Sequence, residues 1–180
     1  LFRSALLRTS EATILIDAGF SARRLNSLLA AEGLSVADLD AVFITHEHGD
    51  HCKGLRGLAK NRALEVYANR ETAEHLHRKL DRPLNWKFFE TGRAFHYRDL
   101  TIEPIPIPHD ATDPVAFLFK NGGEDLFSPH SSVAWVTDLG YVPALVRERV
   151  RGADVLVVEA NHDVALLDGN EQRPWSLKQR

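Results

Sequence analysis

The heptapeptide Thr-His-Glu-His-Gly-Asp-His at residues 45–51 constrains this chain more than any other feature of its sequence. Within it, four side chains are of the kind that binds divalent metals: His46, His48, Asp50 and His51. The apolar run 41–44 before it predicts a buried strand, whose rigid end can direct a following loop at one point. Imidazole and carboxylate are ligands that zinc and similar ions prefer. The spacing lets His46 and His48 converge on one ion, and Asp50 and His51 on a second. A polar surface loop rich in histidine is the weaker interpretation.

The pattern His-x-His-x-Asp-His after a strand resembles the signature of the metallo-β-lactamase superfamily of hydrolases. Three further segments are similar to other parts of that fold: ILIDAG at 14–19, PHD at 108–110 and TDLG at 137–140. Finer similarity points to the YycJ/WalJ-like subgroup, bacterial proteins regarded as DNA exonucleases. The segments that carry this similarity are IPHDA at 107–111, TDLGYV at 137–142, EANHD at 159–163 and WSLKQR at 175–180.

The resemblance implies an α+β fold in which two mixed β-sheets pack face to face between helices, the αββα four-layer sandwich, with residues 1–180 as one domain. It also implies the metal ligands. The first ion would be held by His46, His48 and His109, the second by Asp50 and His51, and Asp138 would bridge them. We therefore expect two divalent ions. Zinc is expected, with manganese or iron as alternatives, because histidine and aspartate suit all three.

The expected chemistry follows from such ions. A divalent metal lowers the pKa of bound water from about 16 to near 7, which makes hydroxide available to attack a carbonyl or phosphoryl centre. Asp50 can orient this nucleophile or accept its proton. His162 follows an apolar run at 155–159 and is predicted to contact a scissile phosphate or act as a general acid. The alternative for His162 is a histidine whose hydrogen bonds are made by Asp163 or by backbone.

Composition narrows the class of protein. The 180 residues are 44% hydrophobic and 26% charged, as in ordinary globular proteins. No apolar run is long enough to span a bilayer and no signal peptide is visible, so we expect a cytoplasmic protein without a membrane partner. The single Cys52 excludes an intrachain disulfide and is expected to be packed rather than a ligand.

Charge bears on the substrate. A net charge of −3 gives no overall attraction to nucleic acid, so contact with DNA needs a local basic patch. Two clusters are candidates for such a patch: Lys53, Arg56 and Lys60, and Arg147, Arg149 and Arg151. The alternative for either cluster is an ordinary solvated helix face.

Periodicity and turn residues predict strands that alternate with helices. Strands are expected near 13–17, 41–45, 64–68, 86–89, 94–97, 101–107, 115–120, 133–137 and 155–159. Helices are expected at 21–31, 54–60, 71–80 and 143–151, the first with Ser21 as its N-cap. Because proline cannot donate to a ladder, Pro104 and Pro106 indicate that 101–107 is an edge or irregular strand.

Three functions fit this sequence. The first is a metal-dependent phosphodiesterase that acts on DNA as an exonuclease. The second is a hydrolase of a small ester, thioester or lactam, which the acidic net charge leaves open as an alternative. The third is an inactive metal-binding fragment. The chain has no methionine. It also lacks the early Gly/Ser-rich turn of the YycJ/WalJ-like group and stops before the superfamily's Gly-His-Leu-Ser-like segment, so we expect truncation at both ends and an incomplete fold. The oligomeric state is not indicated.

Overall fold

Alternating apolar residues build two β-sheets. A computed structural model describes residues 3–122, 130–159, 165 and 169–170 of the chain. The strands are β1 (Ala5–Arg8), β2 (Thr13–Ile16), β3 (Ala41–Phe43), β4 (Glu65–Ala68), β5 (Asn85–Phe88), β6 (Phe95–Tyr97), β7 (Leu100–Pro106), β8 (Val115–Asn121), β9 (Ser131–Val136) and β10 (Val155–Val158). The helices are α1 (Ala22–Ala31), α2 (Gly49–Cys52), α3 (Leu55–Leu58), α4 (Arg70–His77) and α5 (Ala144–Val150), with a 3-10 turn at Val36–Asp38.

The first sheet has the order β1-β2-β3-β4-β5, and the second has the order β10-β9-β8-β7-β6. Strands β2 to β5 are parallel to one another, while β1 is antiparallel to β2. In the second sheet β6 to β9 are antiparallel and β10 is parallel to β9. Parallel neighbours need crossover connections, which here contain α1 to α4. The loops that leave β2, β3 and β4 therefore start from the same edge of the first sheet.

Side-chain alternation along β2 and β3 assigns the two faces of the first sheet. Ile14, Ile16 and Phe43 pack against the second sheet, whereas Leu15 and Val42 pack against the helices. The ring of Phe43 lies at the centre of the contact between the sheets, and it meets the rings of Phe117 and Phe119 edge to face. A third apolar cluster joins the second sheet to α5. Two mixed sheets between helices confirm the predicted fold class.

Helix α1 begins as predicted, because the Ser21 hydroxyl accepts a hydrogen bond from the Arg24 amide at 3.4 Å. The helix expected at 54–60 is the shorter α3 alone, and an additional short helix that was not predicted, α2, precedes it on the other side of Gly54. The Gly54 amide donates to Ala18 O at 2.6 Å, and a Cβ there would approach that oxygen to 2.9 Å. Gly54 therefore packs on the backbone after β2, and this contact interrupts a continuous helix.

Strand β7 is an interior strand over part of its length only. Strand β6 pairs with Leu100–Ile102, whereas β8 pairs with the whole of β7. Pro104 and Pro106 lie beyond the pairing with β6, so their missing amide hydrogens leave no ladder bond unmade. The prediction of an edge strand was right for this half of β7 and wrong for the other half.

Two further differences concern strands. Strand β1 was not predicted; it is only four residues long and pairs with β2 through a tight turn at Thr9–Ala12. The strand expected near 133–137 begins two residues earlier than predicted, because β9 starts at Ser131. Within the described part of the chain, no helix has the length and apolar character needed to cross a membrane.

Candidate metal centre

Loops that follow three strands bring candidate ligands to one place between the sheets. His46, His48 and His51 belong to the loop after β3, while His109 follows β7 and Asp138 follows β9. Ligand atoms of His46, His48 and His109 all lie within 4.8 Å of one another, and so do those of His46, His51 and Asp138. The structure thus brings five of the six predicted ligands into two groups that share His46.

The first group consists of three imidazoles with nearly perpendicular rings. The rings of His46, His48 and His109 meet at 78–82°, with centroids 4.7–4.8 Å apart. His109 Nε2 lies 3.0 Å from His48 Nδ1. Nitrogen ligands of a tetrahedral zinc ion, at about 2.1 Å from the metal, are about 3.4 Å apart. The spacing of this pair is therefore close to that of two ligands on one ion.

His46 presents one ring nitrogen to this group. Its Nδ1 lies 2.9 Å from the Thr45 hydroxyl, and its Nε2 is buried without a hydrogen-bond partner among the described residues. A buried polar atom left unsatisfied costs about 1–3 kcal/mol, which a cation at Nε2 would relieve. Burial, with the nearby charge of His51, lowers the pKa of His46 to about 2. Burial also lowers the pKa of His109. Both rings are therefore neutral at pH 7, as metal coordination requires.

His51 lies between two carboxylates in the second group. Its Nε2 is 3.0 Å from Asp138 Oδ2, and its Nδ1 is 2.8 Å from Asp17 Oδ2. Burial opposes a charge on this ring, but the hydrogen bonds to Asp138 and Asp17 outweigh it and raise the pKa of His51 to about 10. Burial opposes the ionised form of Asp138 as well, but the contact with His51 outweighs it and lowers the pKa of Asp138 to about 2. A metal ion at His51 Nε2 would have to displace a proton.

Asp17 supports both groups, and the sequence analysis assigned it no role. Its carboxylate is completely buried and accepts from the Thr45 amide at 2.8 Å and from the Thr45 hydroxyl, in addition to its contact with His51. It thereby orients His51 directly and His46 through Thr45. Its backbone has φ of 56°, in the left-handed region that aspartate tolerates better than most residues. The available signal was an aspartate directly after the apolar strand β2.

Glu47 is a second supporting residue that the sequence analysis missed. Its Oε1 accepts from the Thr112 amide at 2.8 Å and from the Thr112 hydroxyl at 2.7 Å. These bonds tie the loop after β3 to the loop that carries His109. The partners are 65 residues apart in the chain, so no local pattern indicated the contact.

Of the two predicted catalytic residues, Asp50 and His162, the structure describes only Asp50. Asp50 is half-buried and belongs to neither group of candidate ligands; instead it lines a neighbouring cavity. A Cβ on Gly19 would approach Asp50 O to 1.6 Å, so the backbone after β2 packs directly on this loop. His162 lies outside the described residues.

Cys52 is packed, as predicted. It is buried, its thiol donates to His46 O at 3.0 Å, and it joins neither group of candidate ligands.

The two predicted basic clusters differ in their surroundings. Lys53, Arg56 and Lys60 all line the cavity that Asp50 also lines. In the other cluster, Arg149 contacts Glu103 at 2.6 Å and Arg151 contacts Glu148 at 2.8 Å. The second cluster therefore has less charge available for a ligand than the first.

Comparisons with known proteins match most of the chain. The profile of the beta-lactamase superfamily domain matches residues 12–169. Exodeoxyribonuclease YycJ of Bacillus anthracis is 36% identical over 176 residues, which cover 96% of this chain and 63% of the relative. Exodeoxyribonuclease WalJ of Streptococcus pneumoniae serotype 2 is 36% identical over 182 residues, with 98% and 64% covered. The chain thus spans a little under two thirds of the length of these relatives.

Solved structures show the same architecture. A metallo-beta-lactamase HARLDQ-motif mutant of Cronobacter sakazakii matches with a TM-score of 0.68 and 19% identity, covering 92% of this chain and 74% of the other. The zinc-bound PqqB of Methylobacterium extorquens also has a TM-score of 0.68, with 18% identity over 87% of this chain and 59% of the other. At these identities the likeness concerns the fold alone.

Proposed function

Because this chain belongs to the metallo-β-lactamase superfamily, we propose that it is a metal-dependent hydrolase that cleaves phosphodiester bonds of DNA from a strand end. One observation carries the metal dependence: five side chains from three separate loops converge, and the buried Nε2 of His46 among them has no hydrogen-bond partner in the described structure. The DNA substrate is supported by the relatives, which are named exodeoxyribonucleases.

The donor set fits two divalent ions. We assign His46, His48 and His109 to the first ion, His51 to the second, and Asp138 to a bridging position. Asp50 is proposed as a further ligand of the second ion, for which its side chain has to turn from the cavity towards His51. A site rich in imidazole favours zinc, and manganese and iron are the alternatives.

Ions bound here would supply hydroxide at neutral pH and offset negative charge on the phosphate oxygens. The chain's own residues prepare the site. Asp17 holds the Nδ1 proton of His51 and thereby directs Nε2 inward, while Thr45 engages Nδ1 of His46. Asp50, which lines the neighbouring cavity, is proposed to accept a proton from the nucleophile. For His162 we keep the proposed contact with the scissile phosphate or role as general acid.

The test is hydrolysis of end-labelled duplex DNA by the protein loaded with zinc or manganese, with the metal content of the same sample measured. We expect stepwise release of nucleotides, reduced at least about 100-fold in a His48→Ala variant, because that change removes a ligand of the first ion. A variant of an exposed histidine outside both groups, His96→Ala, should retain the activity.

Two results would contradict the proposal in different ways. Absence of nucleotide release from protein that holds two ions per chain would exclude DNA and favour a small ester, thioester or lactam. Absence of release from protein that holds fewer ions would favour the metal-binding fragment with an incomplete second site. Equal nucleotide release by wild type and His48→Ala would mean that the assigned metal ligands take no part in the reaction.

A further inference from the structure

A cavity of about 880 Å³ opens beside the loop after β3, whose residues Glu47, Gly49 and Asp50 line it. Of the proposed ligands only Asp50 lines it. The volume lies within the range of about 300–1,000 Å³ that is typical of ligand sites. Its walls come from the start of α1, from α2 and α3, and from the end of α4 and the residues after it.

The walls of this cavity carry an excess of positive charge. Five cationic side chains line it, against the two acidic residues Glu47 and Asp50; the cations are Arg3, Lys53, Arg56, Lys60 and Lys79. Arg56 lies 3.4 Å from Asp81, whereas no carboxylate of the described residues lies within 4.0 Å of the three lysines. Glu47 already accepts two hydrogen bonds from Thr112. The unneutralised charge therefore favours an anionic ligand.

The N-terminus of helix α1 adds to the positive electrostatic potential of the cavity. Its N-cap Ser21 and first residue Ala22 line the cavity, and its first turn contains no acidic residue. The positive end of the helix dipole therefore acts in the same direction as the lysines. The apolar part of the lining includes Leu76 and Leu80, and no aromatic side chain of the described residues belongs to it.

We propose that this cavity binds the phosphate backbone of the substrate strand next to the bond that is cleaved, an inference that rests on the proposed function. Lysine ammonium groups bind phosphates as point charges, without reading sequence. Asp50 belongs both to the lining of the cavity and to the loop that carries three metal ligands, so a strand held here lies beside that loop. Without aromatic side chains for base stacking, the contact depends on backbone charge and is independent of sequence.

The experiment measures binding of metal-loaded protein to a labelled single-stranded oligonucleotide with phosphorothioate linkages, which keep the charge and resist hydrolysis. The test variant carries Lys53→Gln and Lys60→Gln. The matched control carries Lys87→Gln and Lys120→Gln, two lysines with half-exposed side chains that do not line the cavity. Both variants lose two positive charges, so a general effect of net charge would be the same in both.

We expect the test variant to bind at least about tenfold more weakly at low salt, while the control changes by less than about twofold. The slope of log affinity against log salt should fall by about 1.4 in the test variant, since each phosphate contact to a single strand contributes about 0.7. An uncharged methylphosphonate oligonucleotide should not compete. Equal affinity and slope in the two variants, or full competition by the uncharged strand, would overturn the proposal.

Hydrolysis of unmodified DNA by the same proteins separates this inference from the proposed function. If wild type hydrolyses DNA but the cavity variant binds and cleaves like the control, the cavity assignment fails and the function stands. If no protein hydrolyses DNA but the cavity variant alone loses binding, the proposed function fails and the cavity remains a site for nucleic-acid backbone.

Discussion

Asp17 combines a left-handed backbone with a buried carboxylate that orients two candidate ligands, His51 directly and His46 through Thr45. We expect Asp17→Asn to weaken zinc binding about 10–100-fold, because second-shell partners of metal-binding histidines have effects of this size. An amide nitrogen facing His51 Nδ1 would place the ring proton on Nε2, where the metal needs a lone pair. Asparagine tolerates the left-handed backbone, so the loop itself should remain in place. Zinc titration calorimetry measures the change.

The matched control for this variant is Asp38→Asn. Asp38 is exposed and accepts from the amide and the hydroxyl of Ser35 in a capping box remote from the ligands. Its substitution should leave zinc affinity within about twofold, since it touches no ligand loop. Equal zinc affinity in wild type and Asp17→Asn would show that Thr45 and the surrounding packing orient His51 without the carboxylate.

Among individual residues, local spacing predicted the ligands of the heptapeptide and resemblance predicted His109 and Asp138, whereas the residues that support these ligands were not predicted. The heptapeptide at 45–51 lies in one loop, so its spacing alone predicted that His46 and His48 would be neighbours. Asp17 is 34 residues from His51, and Glu47 is 65 residues from Thr112. Their roles depend on which loops the fold brings together. Local spacing also has a limit. Asp50 belongs to the motif, but its position there does not determine the direction of its side chain, which joins neither ligand group.

Among the secondary-structure elements, the contact between α1 and α3 has almost no spare space. A Cβ on Gly57 would approach the Ala22 Cβ to 2.1 Å. We therefore expect Gly57→Ala to destabilise the protein by about 1–3 kcal/mol, because overpacking outweighs the roughly 1 kcal/mol by which alanine favours a helix. Thermal unfolding, with a fall of about 2–4 °C in Tm for each kcal/mol, gives the measurement.

Gly49→Ala is the matched control, since Gly49 begins α2 and a Cβ there would meet nothing within 4 Å. It should be neutral or slightly stabilising. Equal destabilisation by both changes would mean that the conformational freedom of glycine, and not the contact with Ala22, is what these positions need.

The same packing explains why element boundaries were harder to predict than element types. Residues 54–60 have helical spacing, but α3 covers only Leu55–Leu58, and Gly54, which binds the backbone after β2, separates it from α2. The prolines of β7 correctly indicated a strand without full pairing, yet they could not indicate where β6 ends. Strand β1 is stable only as the partner of β2, and four residues carry too little pattern to predict it.

Across the whole molecule, the candidate metal centre joins the two sheets. His46, His48 and His51 come from a loop of the first sheet, and His109 and Asp138 come from loops of the second. Inter-sheet contacts such as that of Phe43 with Phe117 bring these loops into range. Hydrophobic alternation predicted the strands, whereas the order and facing of the sheets came from resemblance, because pairing between distant segments leaves no periodic signal.

Since both sheets contribute ligands, metal binding should stabilise the folded protein as a whole. An ion that binds only the folded state adds about 2.7 kcal/mol when its free concentration is 100 times its Kd. For a chain of this size, we expect zinc to raise Tm by roughly 5–11 °C and a chelator to reverse the rise.

In the variant His109→Ala the rise in Tm should be largely lost, because the first ion loses its ligand from the second sheet. In His96→Ala, an exposed change outside both groups, it should be retained. An undiminished rise in His109→Ala would mean that zinc stabilises the fold from the first sheet alone, or at a site other than this one.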